Sequence, residues 1–214
     1  MAFDLVIFDC DGVLVDSEPL SNRILAERLT AIGLPTSTED AMRDYMGRSW
    51  KTDQELIERR LGGPLPDGWV DGYHAEVFEA FERELEPVPG LPEALDDIEL
   101  PWCVASSSAH PRIRASLTAT GLLDRFEGRI FSATDVEHGK PAPDLFLLAA
   151  DTMGAEPERC VVVEDAPAGV QAGLAAGMTV LGYAGLTRPE QLDGARVFGS
   201  MAELPALISG CARR

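Results

Sequence analysis

No stretch of the 214-residue sequence approaches the ~18 consecutive apolar residues of a membrane span. No basic segment precedes the first apolar run, so no signal peptide is expected. Basic residues are scarce throughout. Eighteen Lys and Arg face 36 Asp and Glu, a net charge of −18. That balance argues against nucleic acid and against anionic membrane surfaces as partners. Cysteine is sparse too. Cys10, Cys103, Cys160 and Cys211 are far apart, form no C-x-x-C, and three of them lie in or beside apolar strand-like runs. This is the usage of a reducing, cytoplasmic compartment, with buried thiols acting as small hydrophobes rather than as catalysts. There is no repeat and no low-complexity segment.

What is present suffices for a sizeable core: 45% hydrophobic residues and an ordinary 25% charged. The length fits one large domain or a domain with an insert. The organising stretch is Phe3 to Glu18. Leu5 to Phe8 is an unbroken apolar run that reads as a buried strand of a parallel sheet. It stops at Asp9 and Asp11, followed by Gly12. Ligands of open α/β sheets bind at the carboxyl ends of strands, where these two acids would sit. Two carboxylates that close repel. A cation between them, a proton on one, or an upward pKa shift would each relieve the repulsion. Mg²⁺, a hard cation with oxygen ligands, fits the first outcome, and a proton donor and acceptor fits the other two.

Beyond Ser17, a plausible N-cap, Leu20, Ile24, Leu25, Leu29 and Ile32 recur at helical spacing, and Gly33 ends the run. Further helical patterns cover about 39–46, 52–61 and 68–85, with a break at Gly62 to Pro66. Pro87 to Gly90 marks the return to the sheet. Strands then alternate with helices. Trp102 to Ala105 is followed by a helix from Pro111 to Thr120. Ile130-Phe131 is followed by one that Gly139 to Asp144 opens and that runs to Met153. Cys160 to Val163 is followed by one from Pro167 to Gly177. Thr179 to Leu181, Arg196 to Phe198 and a last helix near 201–209 complete the chain. The expected architecture is α/β: a Rossmann-like parallel sheet flanked by helices, residues 1–16 and 87–214, with an inserted all-α unit, 17–86.

Polar groups cluster where these strands end: Asp9 and Asp11, Ser106, Lys140, and Glu164 with Asp165. In a parallel sheet all of them lie along one edge. A second acid pair can complete a magnesium site with Asp9. Lys140 is a point charge suited to a phosphate oxygen. Ser106 offers a hydroxyl, and Ser107 and Ser108 offer backbone N–H groups at a helix start, where anions bind. Taken singly, each has a plainer reading: a solvated loop lysine, a helix cap, an acidic turn.

The four motifs together, Phe8 to Ser17, Ser106 after Val104-Ala105, Gly139-Lys140-Pro141 with Pro143-Asp144, and Val163 to Ala166 with Gly169 and Ala175 to Met178, resemble the haloacid dehalogenase superfamily. The resemblance covers the whole chain. It is nearest to the subgroup of sugar-phosphate phosphatases and β-phosphoglucomutase, in which a helical cap occupies the position of the insert. The resemblance implies that Asp9 attacks phosphorus and Asp11 protonates the leaving alcohol, then deprotonates water. Ser106 and Lys140 would hold the phosphoryl group. Mg²⁺ would be bound by Asp9, the carbonyl of Asp11 and Asp165, with Glu164 direct or through water. It also implies a small phosphorylated metabolite as substrate, a monomer or weak homodimer, and hinges near Leu14 to Ser17 and Glu86 to Gly90. An acid at position 11 points to phosphate esters rather than to dehalogenation.

The alternative within the subgroup is a β-phosphoglucomutase-like phosphohexose mutase. The mutases' cap histidine and arginine align here with Ser21 and Trp50, which favours the phosphatase. The loop Gly47 to Lys51 makes Arg48, Trp50 and Lys51 the substrate-binding candidates. Arg48 and Lys51 are equally readable as surface cations, and Trp50 as cap core.

Overall fold

The computed structural model describes residues 3–46 and 50–211. Six strands, β1 (Leu5–Phe8), β2 (Trp102–Ser106), β3 (Ile130–Ser132), β4 (Cys160–Glu164), β5 (Thr179–Tyr183) and β6 (Arg196–Phe198), form one sheet in the order β3-β2-β1-β4-β5-β6. Every pairing is parallel. The chain runs outward from β1 to β3, then returns to place β4 against β1. This reversal of winding opens a crevice at the carboxyl ends of β1 and β4, the general ligand position of doubly wound sheets.

Both faces of the sheet are covered, which is why its strands read as continuous apolar runs rather than as alternation. Leu5 and Ile7 of β1 join Cys103, Ala105, Cys160, Val162 and Val180 in a core closed by Leu145, Phe146 and Ala149 of one helix and Val170 of another. On the opposite face Phe8 meets Phe126 edge-on, with ring centroids 6.4 Å apart. The three described cysteines, Cys10, Cys103 and Cys160, are free and buried, and burial pushes their thiols up from the ordinary value.

The chain divides into two compact units, Met1–Val15 with Pro87–Arg214, and Asp16–Glu86. Among the described residues the second has only helices as regular elements: α1 (Ser17–Ala31), α2 (Thr38–Tyr45), α3 (Trp50–Leu61) and α4 (Trp69–Glu84). Helix α1 starts one residue earlier than its sequence signal. Its N-cap is Asp16, which makes no side-chain cap bond, and Ser17 is buried in the first turn. Helix α2 has a full capping box, with Ser37 and Asp40 each bonding the other's backbone N–H. Within this unit Trp50 stacks on Tyr73 at 5.1 Å and on Trp69 at 6.5 Å, and the Arg28 guanidinium lies 5.1 Å over the Trp69 ring.

In the sheet unit the helices are α5 (Leu91–Asp97), α6 (His110–Ala119), α7 (Leu123–Phe126), α8 (Asp144–Met153), α9 (Pro167–Ala175) and α10 (Leu204–Cys211). Helices α5 and α7 have no counterpart in the sequence reading. They are seven and four residues long, too short for a periodic signal, and such helices owe their stability to packing. Leu91 and Leu95 of α5 and Phe126 of α7 are fully buried.

Candidate active site

Strand register builds the centre of the site. Phe8 pairs with Val163, and the Asp9 N–H donates to the Val163 carbonyl at 3.0 Å. This sets Asp9 beside Glu164 at the crevice. Both are buried. Lys140 enters from the segment before α8, across a cis Lys140–Pro141 peptide, and its side chain is only 3% exposed. It donates to Asp9 Oδ1 at 2.6 Å, to Glu164 Oε1 at 2.7 Å and to the Ala105 carbonyl at 2.9 Å. Those three bonds use all the donors an ammonium has. The Phe146 ring lies 4.8 Å from the same nitrogen.

The remaining Glu164 oxygen accepts from the Ala166 N–H at 2.9 Å. Carboxylate oxygens of Asp9, Glu164 and Asp165 all fall within 4.8 Å of one another. Two glycines make room for these acids. A Cβ on Gly169 would collide with the Glu164 carboxylate, and one on Gly12, where φ is 81°, with that of Asp165.

Electrostatics follow from this packing. Burial pushes Asp9 up to about 7; the Lys140 ammonium pulls it down, while Glu164 and Asp11 push it further up. Burial opposes the Lys140 charge, but Asp9 and Glu164 outweigh burial and hold its pKa above the ordinary lysine value. Three carboxylates thus gather around one ammonium. The donors are all oxygens, the set a hard divalent cation takes. Residues and charge therefore fit such an ion.

Asp11 faces elsewhere. Its carboxylate accepts from Ser108 Oγ at 2.8 Å and from the Arg112 guanidinium at 3.2 Å, and it is not part of the three-acid cluster. Ser106, at the end of β2, is buried. Its hydroxyl accepts from the Ser108 N–H at 3.1 Å, so that N–H closes a local turn, where the sequence suggested an anion donor. Ser107 is exposed.

Trp50 is half-buried in the aromatic stack of the helical unit and Lys51 is exposed on α3. Arg48 lies outside the described residues. The structure thus brings Asp9, Lys140, Glu164 and Asp165 to one point. Sequence reasoning missed Arg112, whose signal was available: it follows Ser108 by four residues at the opening of α6.

A family model described as haloacid dehalogenase-like hydrolase matches residues 3–177. The chain belongs to this family of enzymes. It is 30% identical over 207 residues to a 6-phosphogluconate phosphatase of Escherichia coli, covering 95% of this chain and 94% of the relative. It is 36% identical over 180 residues to hexitol phosphatase A of the same organism, covering 82% and 80%. A haloacid dehalogenase-like protein of Agrobacterium tumefaciens superposes with a TM-score of 0.89 at 37% identity, covering 99% of this chain and 100% of that one.

Proposed function

We propose that the protein is a Mg²⁺-dependent phosphatase that hydrolyses a small phosphorylated metabolite, a sugar or sugar-acid phosphate, through an aspartyl-phosphate on Asp9. The observation that carries the reading is the Lys140 ammonium lodged between Asp9 and Glu164 at the crevice of β1 and β4. A carboxylate nucleophile and a phosphate repel by ~4 kcal/mol per pair of unit charges at 4 Å and an effective dielectric of ~20. The lysine offsets part of that repulsion without leaving its place. Mg²⁺ held by Asp9, Glu164, Asp165 and the Asp11 carbonyl would offset the rest by drawing charge off the phosphoryl oxygens.

In the first half-reaction an Asp9 oxygen bonds to phosphorus as the ester P–O bond breaks, and the departing oxygen takes the proton of the Asp11 carboxyl. In the second, water bonds to phosphorus, gives its proton to Asp11, and the P–O bond to Asp9 breaks. Inorganic phosphate leaves and Asp9 is restored. In both halves Ser106 would hold a phosphoryl oxygen, while Lys140, its donors engaged by Asp9, Glu164 and the Ala105 carbonyl, supplies positive charge from its place, so catalysis is mainly positioning and charge stabilisation. The helical unit is the cap in this reading, with Arg48, Trp50 and Lys51 as substrate-binding candidates and Ser107 beside the phosphoryl group.

A screen of phosphorylated metabolites with Mg²⁺ tests the proposal. Phosphate release from sugar or sugar-acid phosphates that Asp9→Asn abolishes supports it. Release that persists in Asp9→Asn overturns the nucleophile, and transfer between positions of one sugar without release of phosphate would make the protein a mutase.

A further inference from the structure

The contact between Asp11 and Arg112 joins residues 101 apart in the chain, and neither has a role in it from the motifs alone. Asp11 is held by both oxygens: Oδ2 accepts from Ser108 Oγ at 2.8 Å and Oδ1 from Arg112 at 3.2 Å. The side chains are 18% exposed for Asp11 and 24% for Arg112. This is drier than the exposed ion pairs that contribute little. The clamp is itself anchored. Ser132, fully buried at the end of β3, donates to the Ser108 carbonyl at 2.8 Å. The Ser132 N–H donates to Asp135 Oδ2 at 2.8 Å, and the Asp135 carboxylate meets His110 Nε2 at 2.9 Å at the start of α6. These bonds hold the Ser108 loop and the start of α6, the two segments that carry the donors, without involving Asp11.

A carboxyl that must deliver a proton to one ester oxygen has to be held in one rotamer, and a misplacement of 1 Å can cost about 10²-fold in rate. We propose that Arg112, with Ser108, is a positioning residue: it sets the orientation in which Asp11 protonates the leaving alcohol. The proposal rests on the phosphatase reading above. It implies substrates with poor leaving groups, aliphatic alcohols such as sugars and alditols, because an aryl phosphate whose phenolate departs unaided has little need of the acid.

The test compares kcat/KM, which reports the first half-reaction, for 6-phosphogluconate, glucitol 6-phosphate and p-nitrophenyl phosphate in wild-type protein, Arg112→Ala, Arg112→Lys and Ser108→Ala. Expected in Arg112→Ala is a fall of about 10²-fold in the ratio of either alkyl to the aryl value. Partial recovery is expected in Arg112→Lys, and a smaller fall in Ser108→Ala, which removes one hydroxyl and tests the clamp even if Arg112→Ala does not fold. A loss equal for alkyl and aryl esters would make the role structural and overturn the proposal. A loss confined to 6-phosphogluconate would make Arg112 a contact for the substrate carboxylate and overturn it too. Wild-type protein inert on all three esters would instead overturn the phosphatase reading.

Discussion

The Lys140 ammonium lies 2.6 Å from Oδ1 of Asp9, although 131 residues separate the two in the chain. The same nitrogen is 2.7 Å from Glu164. One cation thus holds together the end of β1, the end of β4 and the segment entering α8. On the phosphatase reading the same charge also serves the reaction, so one substitution is expected to affect both stability and activity.

Replacing Lys140 with Met leaves buried carboxylates without their counter-charge. Removing one partner of a buried pair typically costs about 3–5 kcal/mol. Lys140→Met is expected to lose that much stability in urea unfolding of metal-free protein, along with all phosphatase activity. Loss of activity at wild-type stability would mean that Asp9 and Glu164 do not need the lysine to fold.

Metal binding has a thermal signature independent of turnover. An ion that binds only the folded state at 100 times its dissociation constant stabilises by about 2.7 kcal/mol. Mg²⁺ is expected to raise the melting temperature of wild-type protein after EDTA treatment. Asp165→Ala should remove most of that rise, since its carboxylate lies with those of Asp9 and Glu164. An equal rise in the variant would place the ion elsewhere.

Stability should also depend on pH through Asp9. Its pKa rises on folding from 3.8 to about 7, chiefly through burial. A group whose pKa is raised on folding contributes in full below its unfolded value and loses that contribution as pH climbs through the folded one. Metal-free wild-type protein is therefore expected to lose stability relative to Asp9→Asn as pH rises from 3.8 towards 7. Melting curves of the two proteins in EDTA across this range check it; parallel profiles would contradict it.

Gly169→Ala is expected to damage the site without replacing any polar residue. The added methyl meets the Glu164 carboxylate, which is buried and cannot swing into solvent. Overpacking of this kind costs about 1–3 kcal/mol. The variant should unfold earlier in denaturant and bind Mg²⁺ more weakly in a thermal titration. Unaltered Mg²⁺ stabilisation would mean that Glu164 has room to relax.

Much of this was legible in the sequence because the signals were local and repeated. Apolar runs stopping at acids marked β1 and β4, and Gly33, Gly121, Gly154 and Gly177 marked helix ends, each at positive φ. The parallel arrangement then put Asp9, Lys140 and Glu164 on one edge. What escaped was set by distant contacts. The α5 sequence Leu-Pro-Glu-Ala-Leu-Asp-Asp is too short to show a period and forms against a core that local pattern does not reveal. The pairing of Arg112 with Asp11 needs β1, the loop after β2 and α6 to be assembled first. Trp50 had two open readings in the sequence, and its stacking on Tyr73 and Trp69 became visible only when α3 met α4.

The central claim is that Asp9 carries the phosphoryl group. Acid quenching during turnover of p-nitrophenyl phosphate with Mg²⁺, followed by borohydride reduction and peptide mass analysis, tests it most directly, because reduction of an aspartyl-phosphate leaves homoserine. The expected result is homoserine at position 9, absent without substrate. Homoserine or phosphate trapped at any other residue, with Asp9 intact during a burst of product, would contradict the account.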